Sequence, residues 1–181
     1  MGIDNGLAER LCNKDVFDEY DNKAKCKDHI LEQYKLYVEM ADRISQRRQS
    51  ANTFFLSINT VLVSLSGFLF RSPDKSSESL WLVFVGLAGL IISYTWYRLI
   101  RSYRDLNTGK FGVIHEIEAN LPIKPYDAEW VMLGEGRNKD LYLPFTHIET
   151  KVPWVFFTLY IVLILYVSAP FIRSLVCVLS S

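Results

Sequence analysis

Three blocks of nearly continuous apolar residues interrupt an otherwise polar chain: Phe54 to Phe70 (FFLSINTVLVSLSGFLF), Leu80 to Ile100 (LWLVFVGLAGLIISYTWYRLI) and Pro153 to Ile172 (PWVFFTLYIVLILYVSAPFI). Each is close to the roughly 20 residues that a hydrocarbon core of about 30 Å requires of a helix. The pattern therefore predicts three transmembrane helices, at 51–71, 80–100 and 153–173. The polar stretch RSPDKSSES, with Pro73, ends the first. Trp96 and Tyr97 beside Arg98 read as the interfacial belt of the second, and Trp81 marks its other end. Pro153 reads as the first helical position of the third, which Arg173 closes.

The polar segments flanking these blocks are themselves patterned. In HILEQYKLYVEMADRISQRRQ, the residues Ile30, Tyr34, Tyr37, Ala41 and Ile44 recur at alternating four- and three-residue steps, a helical seam of coiled-coil type. With no Pro or Gly in the way, one helix is expected from about Asp28 through Phe70, with 28–50 as an amphipathic extension outside the bilayer. After the second block Tyr103, Leu106, Val113 and Ile117 predict another amphipathic helix, weakened locally by Gly109 and Gly112. From Leu121 onward Pro122, Pro125, Gly134, Gly136 and Pro144 predict a loop segment with one short helix and two short strands. The polar segment 1–27 predicts helix around Gly6 to Lys14 and is otherwise read as partly disordered.

Basic residues orient this arrangement. Arg43, Arg47 and Arg48 precede the first span, and Arg98, Arg101, Arg104, Lys110 and Lys151 lie between the second and third; the turn after the first span has Arg71 and Lys75, and the tail 174–181 follows Arg173. By the positive-inside rule the N-terminus is expected in the cytoplasm and the C-terminus outside. The fold class is thus an all-α membrane protein, with three transmembrane helices and helical extensions into a cytoplasmic domain (1–50 and 101–152) containing a Pro/Gly-rich loop segment.

Composition narrows the function. The 181 residues are 50% hydrophobic and 14% aromatic, which suits a membrane protein better than a soluble globule of this size. A formal net charge of +0 gives no basic field for nucleic acid. No secretory signal is expected in MGIDNGLAER, and Met1-Gly2 lacks the Ser/Thr that myristoylation requires. Cys12, Cys26 and Cys177 have no ligand-like spacing and read as free thiols.

Several residue groups invite a chemical reading. Thr53, Ser57, Thr60, Ser64 and Gly67 lie at four- and three-residue steps in the first span, as do Gly86, Gly89 and Ser93 in the second; small-residue faces of this kind are helix-packing or oligomer surfaces in lipid. Ser45, Asn52, Asn59 and Ser66 form a heptad-spaced polar stripe. An amide within a span needs a partner or water, so Asn52, Asn59 and Ser66 read either as pore lining or register contacts, or as groups satisfied by a neighbouring carbonyl. Arg98, Arg101 and Arg104, with Tyr103, make a juxtamembrane cluster suited to anionic lipid head groups as well as to setting topology. His115, Glu116 and Glu118 lack metal-ligand spacing on a helix, and GEGRN at 134–138 lacks the GK[ST] of a phosphate loop and reads as a turn. No nucleophile elbow or other catalytic motif is present, so neither enzyme activity nor a cofactor is expected.

The segment RRQSANTFFLSINT entering the first span, the basic exit RLIRSYRDLNTGKFGVIHEIEANLPIKPYDAEW and its LPxxPxxxEW element resemble the RipA-type bacterial inner-membrane proteins, over about residues 30 to 172. The resemblance implies a homo-octamer in the bacterial inner membrane and supplies no catalytic residue. Eight helices in a ring at about 10 Å spacing would put their axes about 13 Å from the centre, leaving a lumen about 8 Å in radius. The mostly apolar spans favour a non-conducting scaffold, and with the resemblance the leading reading is a non-enzymatic scaffold or sensor in bacterial adaptation, contacting lipids and a protein partner the sequence does not name. The alternative is a gated pore lined by the polar face of the first span.

Overall fold

The computed structural model describes residues 6–11, 16, 19–70, 75–137 and 148–179. Readings on Met1, Gly2, Cys12, Arg71, Pro73, Asn138 and Pro144, and on the side chains of Lys75, Arg173 and Cys177 lie outside the described residues; of the segment from Leu121 onward in which two short strands are expected, 121–137 and 148–152 are described and hold no strand, and 138–147 lie outside the described residues. The elements are α1 (Leu7–Leu11), α2 (Lys23–Leu69), α3 (Lys75–Glu118), α4 (Pro125–Met132), a 3-10 turn (Gly134–Gly136) and α5 (Lys151–Leu179). Among the described residues there is no strand, and three helices are long and apolar enough to cross a membrane.

The chain forms two compact units, one of Met1–Arg47 with Tyr103–Pro144 and the other of Arg48–Ser102 with Phe145–Ser181. In the first unit the seam read from the sequence is the sheltered side of α2: Ala41 is buried, and Ile30, Tyr34, Tyr37 and Ile44 are half-buried. The corresponding side of α3 differs from expectation. Tyr103, Val113 and Ile117 are half-buried, but Leu106 is 51% exposed, while Lys110, Ile114 and Glu118 are buried. Hydropathy placed the apolar Leu106 inside, whereas the interior takes two charged groups that have local partners. The Lys110 ammonium lies 4.4 Å from the centre of the Tyr37 ring, a cation–π contact that also shelters its aliphatic stem. Glu118 is engaged in hydrogen bonds described below.

In the second unit the sheltered positions of α2 are Asn52, Phe55, Asn59, Leu62 and Ser66, again at three- and four-residue steps. Trp96, read as a belt residue, is instead a core anchor only 3% exposed. It stacks on Phe55 with centroids 6.0 Å apart and planes 7° from parallel, and meets Phe156 at 6.2 Å. An indole with its one N–H donor satisfied is free to bury its whole ring. Tyr97 is half-buried against Trp154, at 5.3 Å. Trp81 is 63% exposed, as suits the far end of that span. Pro153 is buried and is the third residue of α5, which begins two residues earlier than the sequence suggested.

Candidate functional site

Two polar centres stand out, one in each unit. In the second unit, Asn59 on α2 has no accessible surface. Its Nδ2 donates to the Phe55 carbonyl at 2.8 Å, and its Oδ1 accepts from the Ser93 hydroxyl of α3 at 3.2 Å. The Asn59 carbonyl accepts from the Tyr160 hydroxyl of α5 at 3.3 Å. One residue thus ties all three helices of this unit, and every polar group it brings into an apolar environment has a partner. A second tie lies two turns away, where the Trp96 indole Nε1 donates to Asn52 Oδ1 at 2.8 Å. Ser66, also buried, donates to the Leu62 carbonyl of its own helix. In this arrangement Asn52, Asn59 and Ser66 face the interior of this unit, and Ser45, the first member of their stripe, is exposed in the other unit.

The small residues of α3 are used in the same interior. Ser93, Gly86 and Gly89 are all buried. A Cβ at Gly89 would meet Tyr160 Cζ at 2.4 Å, and one at Gly86 would meet Ile164 Cγ1 at 2.6 Å, so the absence of side chains there lets α5 approach α3. The small residues of α2 are disposed differently. Thr53, Ser57, Thr60, Ser64 and Gly67 are exposed, and nothing lies within 4 Å of a Cβ built on Gly67. Each hydroxyl donates to the carbonyl four residues earlier (Gln49, Thr53, Leu56 and Thr60), at 2.8 to 3.1 Å. This face is therefore small, smooth and already satisfied within its own helix, suitable for close approach by another helix. Near the end of the span Arg48 and Glu149 form a partly sheltered ion pair at 3.8 Å.

Arg98, Arg101 and Arg104 are exposed. Arg101 donates to the Tyr97 hydroxyl at 3.4 Å, and its guanidinium lies 5.9 Å from that ring's centre. Arg104 pairs with Asp105 at 2.9 Å.

The polar centre of the first unit is Glu118, the last residue of α3 and fully buried. Oε1 accepts from the Tyr34 hydroxyl of α2 at 2.7 Å and from the Tyr126 backbone N–H at 3.1 Å; Oε2 accepts from the Asp127 N–H at 3.1 Å. These two amides belong to the first turn of α4, which opens on Pro125 and whose N-cap residue, Lys124, makes no side-chain cap. A carboxylate from another helix therefore does the capping, satisfying orphan donors at the positive end of the helix dipole. Burial, and next the hydrogen bond to Glu118, push the Tyr34 phenol above its ordinary value. Burial, followed by the charges of Asp42, Glu129 and Glu118, does the same to Tyr126.

The sign of the Tyr34 shift makes a prediction. A phenol whose folded-state value is raised contributes stability that is fully present below its ordinary value of 10.0 and is lost as pH rises toward the folded value. Phenolate absorbance should show Tyr34 and Tyr126 titrating with alkaline unfolding of this unit, and Tyr34→Phe should remove one of these two components while leaving the other.

His115 and Glu116 do not join Glu118, and among the described residues no group of three or more His, Cys, Asp or Glu side chains is placed to hold a metal. The GEG stretch forms the 3-10 turn, with positive φ at Gly134 (70°), Glu135 (52°) and Gly136 (69°). At Gly136 the Trp130 ring lies 3.1 Å from where a Cβ would sit, so both backbone and space call for glycine. Sequence reasoning weighed Lys110 only as an orienting charge and Glu118 only as a metal ligand, and missed that Glu118 caps α4. The available signal was a proline-initiated helix with no Ser, Thr, Asp or Asn in front of it, which implies a cap supplied from elsewhere.

A sequence model of the octameric membrane protein family (8xMP) matches residues 31–169. No curated protein and no solved structure matches the chain.

Proposed function

The chain belongs to the octameric membrane protein family, and from that premise we propose that it is a non-enzymatic homo-octameric scaffold or sensor of the bacterial inner membrane. The N-terminus would be cytoplasmic and the C-terminus periplasmic, following the basic residues on either side of the spans. The narrower RipA-type likeness, which rests on the membrane-entry and LPxxPxxxEW segments, supports a role in bacterial adaptation.

The observation carrying this reading is the division of labour among small residues. Gly86, Gly89 and Ser93 are consumed within the protomer, while Thr53, Ser57, Thr60, Ser64 and Gly67 remain exposed. In lipid, a small-residue face not used within a chain is suited to contact with a neighbouring chain. The exposed Arg98, Arg101 and Arg104 would bind anionic head groups, at about 1 kcal/mol per basic residue near the surface. A passage lined by Asn52, Asn59 and Ser66 has less support, because these side chains are covered within the protomer.

The test is reconstitution in lipid with a count of protomers and identification of what fills the central axis. Eight protomers around a lipid-filled or closed axis is the expected result; a dimer or monomer would sink the proposal. Asn59→Leu should leave ion flux at background and weaken the protomer by about 1 kcal/mol, in line with interhelical hydrogen bonds in membranes. A change in flux would favour the channel instead.

A further inference from the structure

The symmetry of a membrane octamer constrains how its copies meet. A two-fold axis lying in the membrane plane would turn half the copies upside down, which a single charge-determined orientation forbids. The remaining arrangement is cyclic, and a cyclic ring of more than two copies closes through heterologous contacts: each copy must present two different, complementary faces.

The first unit has two such faces. On α4, Ala128, Val131 and Met132 fall at three- and four-residue steps; Val131 is 58% and Met132 81% exposed, and Ile123, just before the helix, is 73% exposed. No residue of α4 is buried. On α2, Leu36 and Met40 are 59% and 43% exposed and continue at the same spacing into Arg43 and Arg47, turned away from the sheltered Tyr34, Tyr37 and Ala41. On α4 the charge lies before the apolar pair and on α2 after it, an order that matches when the two helices lie antiparallel. One helical turn, about 5 Å, separates Met132 from Glu129 and Met40 from Arg43. Among the described residues neither Glu129 nor Arg47 is in an ion pair, and Arg43 is engaged only by its exposed neighbour Glu39 at 2.7 Å, a weak surface pair.

We infer that the octamer closes through the first unit, the Val131 and Met132 face of α4 on one copy seating against Leu36 and Met40 of α2 on the next, with Glu129 facing Arg43 and Arg47. This contact covers apolar side chains that a lone protomer leaves in water, with methionine on both sides to adapt the fit. It rests on the homo-octamer proposed above. It also gives Glu118 a consequence beyond its own unit, since the carboxylate that caps α4 fixes the presentation of that face.

Disulfide trapping in native membranes tests it, using the full chain with Cys12→Ser, Cys26→Ala and Cys177→Ser as background. Two differently tagged chains, one carrying Met132→Cys and the other Leu36→Cys or Met40→Cys, are co-expressed and oxidised. Cross-links should join only unlike chains, and a chain carrying both substitutions should give a reducible ladder extending to eight. Dimers from Met132→Cys alone would overturn the inference in favour of a two-fold contact. No cross-link in either pairing, with eight protomers still counted by native mass spectrometry, would overturn the inference and spare the octamer. Fewer than eight protomers in the unoxidised background chain would overturn both.

Discussion

Replacing Glu118 by Ala should unfold α4 from the first unit and lower the unit's stability by on the order of 3 kcal/mol. Three donors converge on this carboxylate, the Tyr34 hydroxyl and the backbone amides of Tyr126 and Asp127. Alanine leaves all three unpaired in a place where Glu118 itself has no accessible surface. Hydrogen bonds to a charged acceptor contribute about 1.5 to 3 kcal/mol each, but donors released together relax together, so the sum is smaller than three times that. Graded variants separate the parts. Glu118→Gln retains one acceptor oxygen and sets an amide NH2 against the remaining N–H, so it should lose roughly half as much. Tyr34→Phe removes a single donor and leaves the cap intact, at about 1 kcal/mol. Amide hydrogen exchange locates the effect: protection at Tyr126 and Asp127 should collapse in Glu118→Ala and persist in Tyr34→Phe. Unchanged protection in Glu118→Ala would show that α4 is held by something else.

That centre also shows where reading the sequence stops. The three spans, the uninterrupted α2 and the Ile30 to Ile44 seam follow from period and length, because burying an apolar stripe constrains which residues may occupy it. Asn59 stood out for the same reason in reverse, since an amide in an apolar run calls for a partner. What was not legible was the partner's identity: Ser93 is 34 residues away in the chain and Tyr160 is 101 away. The burial of Glu118 and Lys110 was not foreseen because hydropathy places charges outside. Their burial depends on a hydroxyl, two amides and an aromatic ring that only the folded chain assembles. Trp96 went astray on a generalisation about membrane interfaces, which holds for indoles with a wet polar end, whereas the Trp96 N–H is satisfied by Asn52. The stripe of Thr53, Ser57, Thr60 and Ser64 resembles that of Gly86, Gly89 and Ser93 as text. Only the positions of the neighbouring helices reveal that one is covered and the other exposed.

A methyl group added to each of the three membrane glycines should separate covered from exposed directly. Gly89→Ala is expected to be the most damaging, by about 1 to 3 kcal/mol, the range of overpacking in a filled interior. Its Cβ would fall 2.4 Å from Tyr160 Cζ, and that ring cannot swing aside, being only 1% exposed and hydrogen-bonded to the Asn59 carbonyl. Either α5 moves off α3 or the Tyr160 bond breaks. Gly86→Ala meets Ile164, which is half-buried and has room to adjust, so a smaller loss is expected. Gly67→Ala meets nothing within the protomer, and alanine's better helix propensity should make it neutral or slightly stabilising there. Unfolding by denaturing detergent ranks the three. A double-mutant cycle of Gly89→Ala with Tyr160→Ala should show strong coupling, since without the ring the methyl has space; additive losses would mean that the clash is relieved elsewhere. Gly67→Ala is the informative control for assembly. If its exposed face is a contact between copies, its effect will appear in the proportion of octamer and not in the stability of the protomer, whereas a face that meets only lipid will show neither.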